Sequence, residues 1–593
     1  VNGEALRERA RELGVETGYW DVSGTYHEAS DATLQAIVDV LEADAAAAAD
    51  PASGPPVVVG RPERIAVGAA TEAVLELADG TTLALPVADG HVAPPPDLPV
   101  GCHRLALAGA ADVTVVVPPP TMPRATRFAG GASLFVPAYA LWERSAPLPS
   151  FAHLGALAAS THPLGIDVVT TLPLYAAFLD DPFDPSPYAP VSRLHWNEVY
   201  IDDATLPVAP VPDQERLIDW RELALRRRRQ LVSMVDDLDP FIEAGIARFV
   251  ATHPDVVDYA KFRAARPERG DAGAPAAAIE RSHLLAQYLA DRQLAAIEGR
   301  ERAALALDLP IGTHPDGFET ATHPELFAVG MTVGAPPDEL FDGGQDWGFR
   351  PPLPAAGRRS GHALWRALVA RAGEHASLLR IDHVMGVHRL WWVPDGMAPT
   401  EGAYVRYRRD EVLAVIAAEA ARTKTTIVGE DLGTVPDEVR EAMERWDVLG
   451  LHEDQFHVHR PLPRIPARSV AGLRTHDMPA FAAVLRDDPT GLATYREHLA
   501  AELGRAVGPD DVLDAALERL AASDAYLVVA DLDDLIGETE PHNVPGRVLP
   551  STWRRRLPRP ASEVLADPDV RRRIKLLTHR DTRRDEHRSG GPA

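Results

Sequence analysis

Three carboxylates follow short apolar runs, in order along the chain: Asp382 in "LLRIDH", Glu430 in "IVGEDLG" and Asp477 in "RTHD". Cleavage of a glycosidic bond needs this set of groups. One carboxylate attacks the anomeric carbon, a second protonates the leaving oxygen, and further polar groups hold an oxocarbenium-like transition state. The two roles separate when their surroundings push the two acids apart. Arg380 stands two residues before Asp382, so an extended strand points both side chains to one face. A neighbouring cation keeps a carboxylate ionised, as a nucleophile requires. Glu430 has no cation within two residues, and a less polar pocket would suit a proton donor. The reading is Asp382 as nucleophile and Glu430 as acid, then base. Asp431, the next residue, should point to the opposite face, toward the loop through Thr434 and Pro436.

Other chemistries lack their residues. The chain has 22 His but no HExxH and no cysteine cluster; "HVHR", His457 to Arg460, only places two histidines on one face of a short segment. No metal and no cofactor are expected. Neither GxxxxGK[ST] nor a GxGxxG after a strand is present, and a GxSxG elbow is absent. A formal net charge of −27 argues against nucleic acid and against an anionic membrane surface, while leaving neutral ligands open. The single cysteine, Cys102, permits no intrachain disulfide and fits a reducing cytoplasm. No secretory h-region or 18-residue apolar stretch occurs, so neither export nor membrane spanning is expected.

The elements that must carry these acids change character along the 593 residues, too many for one core. Residues 1–50 read as helical: Leu6, Ala10 and Leu13 have helical spacing, and Gly14 can end that helix. "AAAAADPASGPP" reads as a linker. Over 51–123 the period becomes two, with "AVLELADGTTLALPV" a hairpin turning at Asp79-Gly80; a small β-sandwich is expected. From 124 to 593, runs such as "GIDVVTTLPL" and "AALALDLPIG" alternate with helical segments. That pattern favours a parallel sheet covered by helices, either a (β/α)8 barrel or a doubly wound sheet. A helical insertion is expected near 213–299, with "RRRR" at Arg226 to Arg229 as a solvated helix face, and "DTRRDEHRSGGPA" as a disordered tail.

At these residues the chain resembles the amylomaltase or disproportionating-enzyme family, the 4-α-glucanotransferases of the α-amylase clan. "SPYAPVSRLHWNEVYID", "GAPPDELFDGGQDWG", "LLRIDHVMGVHRLWWVP", "VGEDLGTVP", "LRTHDMPAF", "DLDDLIGETEPHNVPG" and "WRRRL" carry the likeness. The resemblance implies an α/β fold, a (β/α)8 TIM barrel preceded by the helical segment and β-sandwich of longer bacterial members. It implies Asp382 as nucleophile, Glu430 as acid/base and Asp477 as transition-state stabiliser. Arg380 and His476 would orient the nucleophile and donor sugar. Ser186, Tyr188, Asp338, Gln345, Trp347, Asn543 and Pro545 would contact α-1,4-glucans or maltooligosaccharides. Departures are "GFRPP" after the Trp-Gly pair, His388 in place of an aromatic or aliphatic residue, and a Gly-poor stretch "YALWERSAPLPSFAHLGALA". The nearest competing activity is α-1,4-glucan hydrolysis on the same barrel; a silent glucan-binding protein is a further one. No oligomeric state is read from the sequence.

Overall fold

The computed structural model describes residues 3–21, 24–48, 56–202, 216–299, 301–337, 343–433 and 435–580. Eight short strands build its largest sheet: β1 (Gly131–Phe135), β2 (Val168–Thr170), β3 (Ala304–Leu309), β4 (Leu378–Ile381), β5 (Thr426–Gly429), β6 (Gly450–Glu453), β7 (Ser469–Gly472) and β8 (Leu527–Asp531). They lie in the order β5-β4-β3-β2-β1-β8-β7-β6. Ser133 lies opposite Val168, Val168 opposite Ala304, Gly131 opposite Leu527 and Gly450 opposite Ser469, every one of these pairings parallel. Sequential neighbours throughout, with β8 beside β1, are the strand order of a (β/α)8 barrel rather than of a doubly wound sheet. The strands are buried on both faces, as β3 shows with six buried residues in six, which is why they read as continuous apolar runs. In such a sheet all C-terminal strand ends lie at one edge, and Asp382 and Glu430 directly follow the ends of β4 and β5.

The chain divides into two compact units. One comprises Val1–Arg124, Ile311–Glu374 and Ile381–Val448. Its helices Gly3–Glu12 and Asp31–Ala48 share a core with the antiparallel strands Met331–Ala335, Arg389–Pro394 and Ala403–Arg406: Leu6, Leu34 and Leu41 join Val333, Trp392 and Val405. Between those helices lies a ribbon, Gly18–Trp20 paired with Tyr26–Glu28, which the helical reading of residues 1–50 did not include. Three-residue strands are too short to leave a period. The expected linker begins inside the second helix, which runs to Ala48; 49–55 lie outside the described residues. Residues 57–117 form a five-stranded sheet and a two-stranded ribbon around Leu75, Leu105 and Val115. The hairpin at Asp79-Gly80 is present, Gly80 taking φ +86°. Val57, Cys102 and Val116 of that sheet pack on Ala414, Val415 and Ala418 of the helix Arg409–Thr423. Burial pushes the Cys102 thiol up to about 12, so it is an inert core residue.

The second unit comprises Ala125–Pro310, His375–Arg380 and Leu449–Ala593. Its insertion is helical as expected, with helices Trp220–Met234, Pro240–Thr252, Asp255–Ala264 and Ala276–Ala295. The arginine run departs from expectation. Arg227 and Arg228 are buried, only Arg229 is fully exposed, and Arg228 donates to Asp271 (2.8 Å), Glu198 (3.3 Å) and Ser282 (2.6 Å), with His283 Nδ1 at 3.2 Å. A buried guanidinium needs such partners, and they come from remote stretches that a local charge pattern does not reveal. The tail 581–593 lies outside the described residues.

Candidate active site

Asp382 and Glu430 belong to the first unit. They are the residues immediately after β4 and β5. Glu430 continues the backbone ladder, its N–H donating to the Ile381 carbonyl at 2.9 Å and its carbonyl accepting from Val384 N at 3.0 Å. Its carboxylate accepts from His383 N at 3.0 Å and from Leu432 N at 2.7 Å. The N–H directly after Asp382 therefore holds Glu430. The arrangement depends on His383 taking φ +46°, a left-handed conformation that costs a non-glycine residue energy. Burial, reinforced by Arg389, lowers the His383 imidazole to about 4, so it is neutral. Asp431 is half-buried beside Glu430; Thr434 lies outside the described residues, and Pro436 caps the helix Asp437–Trp446.

Trp347 lies against the same turn, its ring 5.1 Å from His383 edge to face, and donates Nε1–H to Gln345 Oε1 at 3.4 Å. Gln345 pairs with Ala335, and the strand approach is tight: a Cβ on Gly334 would fall 1.9 Å from the Gln345 carbonyl oxygen. Gln345 and Trp347 thus gather around the segment that bears Asp382. Asp338 lies outside the described residues.

The second unit holds the remaining residues as one continuous network. Arg380, on β4, donates to both Asp308 oxygens (2.7 and 2.8 Å). The sequence reading gave this cation to Asp382 and the donor sugar and did not include Asp308. Its signal was faint, a single charge inside the buried run "ALALDL". The Tyr188 hydroxyl donates to Asp308 Oδ2 at 2.6 Å, and its ring stacks on His476 with centroids 5.0 Å apart and planes 6° apart. Ser186 serves the turn, its Oγ accepting from Tyr188 N at 3.2 Å. His476 reaches Asp477 Oδ2 with Nε2 at 3.2 Å, and Asn543 Nδ2 donates to Asp477 Oδ1 at 2.6 Å. Pro545 is half-buried two residues beyond Asn543. Trp553, which the sequence reading also missed, closes on the Tyr188 and His476 rings at 6.0 and 5.9 Å.

Asp477 lies five residues past the end of β7, in a loop rather than at the strand's last position. Crowding by protein would raise its pKa, yet 45% of the side chain stays accessible. His476, Asn543 and Arg380 prevail and hold it at about 2, so it is an anion at neutral pH. Its loop is anchored beneath. Arg474 pairs with Asp531 (2.7 Å) and Asp534 (2.8 Å), and Asp533 pairs with Arg555 and with His542 at 2.8 Å. The "DLDDL" run is thus a buried ionic lattice below the Asn543 loop. At the end of β6, Glu453 is buried, and among the described residues one of its oxygens has no hydrogen-bond partner; burial outweighs Arg380 and Arg474 and pushes its carboxyl up to about 8. The "HVHR" histidines do not converge: His459 pairs with Asp488 at 2.6 Å while His457 stacks on His452.

A family model described as 4-alpha-glucanotransferase matches residues 136–562. The 4-alpha-glucanotransferase of Mycobacterium tuberculosis (strain ATCC 25618 / H37Rv) is 30% identical over 695 aligned positions, covering 91% of this chain and 92% of that protein. That of Haemophilus influenzae is 35% identical over 204 positions, 33% of this chain and 29% of its own. In fold the chain is similar to amylomaltase from Corynebacterium glutamicum (TM-score 0.83, 22% identity, 98% of this chain and 100% of that one). It is also similar in fold to the Streptococcus agalactiae amylomaltase in complex with acarbose (TM-score 0.65, 19% identity, 76% and 99% covered).

Proposed function

The chain belongs to the 4-alpha-glucanotransferase family, and we propose that it transfers α-1,4-glucan segments by a retaining double displacement in which Asp382 is the nucleophile. Its Oδ attacks the anomeric carbon of the donor as the glycosidic C–O bond breaks, and Glu430 gives its proton to the departing O4. In the second half Glu430 takes the proton from the 4-hydroxyl of an acceptor glucan or glucose. That oxygen then attacks the same carbon and expels Asp382. Configuration is kept, and no cofactor or metal enters the balance.

The observation that carries this reading is the hydrogen bond from His383 N to Glu430 Oε2, 3.0 Å, which ties the second carboxylate to the residue following the first. We assign Asp477 to gripping sugar hydroxyls as charge develops, with His476 and Asn543 fixing its oxygens and Tyr188 held by Asp308. Arg380, Ser186, Gln345, Trp347, Pro545 and Asp338 belong to the same proposal as glucan contacts. Transfer exceeds hydrolysis when the acceptor hydroxyl is positioned and water is kept out, which gives the sugar an effective molarity that bulk water lacks. The buried thiol and acidic charge support a cytoplasmic setting, and among the described residues no helix is long and apolar enough to cross a membrane.

Incubation with maltotriose tests the activity: glucose plus oligosaccharides longer than the substrate is the expected profile, and glucose with maltose alone would mean hydrolysis. A glucan complex should show the two working carboxyls about 5–5.5 Å apart; a separation of about 6.5–9.5 Å would make the reaction inverting and remove Asp382 as nucleophile.

A further inference from the structure

The N-terminal ribbon carries a feature the transfer reaction does not use. Pairing of Tyr19 with His27 and of Trp20 with Tyr26 sorts its side chains onto two faces. The inner face is anchored: Tyr19 stacks on His27 (5.1 Å, 20°) and sets its ring edge on Trp391 (5.0 Å) and Tyr404 (6.5 Å). On the outer face Trp20 is 67% exposed and Tyr26 44%. They are the exposed large aromatic side chains among the described residues of that unit. The two rings lie 5.1 Å apart at 53°, making a bent aromatic surface. Gly18 lies beneath it: a Cβ there would fall 2.5 Å from the Tyr26 hydroxyl and 2.5 Å from the His27 carbonyl oxygen, so the tyrosine lies across bare backbone. Polar groups flank the rings, with Asp21 bonded to His27 at 2.7 Å and to Thr25 N at 2.9 Å.

We propose that this outer face, Trp20 and Tyr26 over Gly18, is a second glucan-binding site that takes long α-1,4-glucan chains by stacking sugar faces on the two rings. A bent pair of rings suits a curved chain whose sugars present C–H faces and hydroxyl rims together. Aromatic faces bury area at little entropic cost, and the neighbouring carboxylates serve hydroxyls. The acidity of the chain, −27 overall, disfavours the other ligand that stacks on exposed aromatic rings, single-stranded nucleic acid. Two side chains are also far short of the roughly 1,200 Å² that a stable protein interface buries. The site would hold polymeric substrate near the enzyme without touching the reacting bond. The choice of ligand rests on the glucan-transfer reading, so the test separates the two.

The full chain is run on native gels with and without glycogen, and each variant is assayed separately for maltotriose transfer. The unmodified protein should be retarded by glycogen. Trp20→Leu with Tyr26→Leu keeps apolar bulk but removes the rings, and should weaken retardation about tenfold in apparent Kd while leaving maltotriose kcat/KM within about twofold. Trp20→Phe, which keeps an aromatic face, should retain glycogen binding. Retention of full glycogen binding by the double variant would overturn the proposal. So would absence of retardation in the unmodified protein, or a parallel fall in maltotriose kcat/KM, which would mark the ribbon as a support of the fold. Loss of glycogen binding in a chain that turns over no maltotriose would leave the second site standing and remove the transfer reading.

Discussion

The peptide N–H of His383 links the two proposed catalytic carboxylates, following Asp382 directly and donating to Glu430. Their roles can therefore be separated by leaving group. Asp382→Asn should cut maltotriose transfer by about 10³-fold or more, and Glu430→Gln by about 10²–10⁴-fold. With a maltosyl fluoride donor, whose departure needs no proton, Glu430→Gln should still form the glycosyl-enzyme, seen as a mass increase, while Asp382→Asn should not. A mass increase on Asp382→Asn would reassign the nucleophile. Asp382 and Glu430 stand out in the sequence because a carboxylate directly after an apolar run is a visible break in pattern, and both do follow strand ends. Asp308 does not, because its meaning lies in Arg380 and Tyr188, 72 and 120 positions away.

Between residues and fold stand two buried charge systems whose energetics can be checked. Arg228, in the helix Trp220–Met234, is wholly buried among Asp271, Glu198, Ser282 and His283. Arg228→Met should destabilise by about 3–5 kcal/mol through the acids it leaves unpaired, whereas Arg229→Gln on the exposed side should stay within about 0.5 kcal/mol, both read from chemical denaturation. Glu453, at the end of β6, gives a pH signature. Its proton leaves near 4.5 in the unfolded chain and near 8 in the folded one. Across that window the folded state holds a proton the unfolded state has released, so the group lowers stability progressively as pH rises. Glu453→Gln should flatten the fall of Tm between pH 5 and 8, with a gain on the order of a few kcal/mol at the upper end; parallel Tm curves would show Glu453 ionised. Helix positions were readable from period and stop signals, as with Leu6 and Ala10 in the helix Gly3–Glu12 and Gly14 just past it at φ +84°. Which face of the arginine helix is buried was not, since its partners come from 198, 271 and 282–283.

Taken as a whole, the barrel was legible from alternation alone up to a choice between closed and open sheets, which strand order then decides. Order of this kind depends on which strands pair across long separations, and no local pattern encodes it. The same holds for the first unit, assembled from three separate stretches of chain. Its N-terminal helices could be placed in sequence, but not the strands 331–335, 389–394 and 403–406 on which they pack. At this level the decisive measurement remains the maltotriose product profile, and the unmodified chain should make longer sugars in excess of hydrolysis products.

That shared core sets a timetable for biogenesis. The cover over the apolar side of the helix Asp31–Ala48, with Leu34, Ile37 and Leu41, is completed only when Trp392 and Val405 arrive. At about 5–20 residues per second, translation leaves that side uncovered on the ribosome for some tens of seconds. The nascent chain should be a chaperone client over that interval, and ribosome-bound fragments ending before residue 389 should remain protease-sensitive in their first fifty residues.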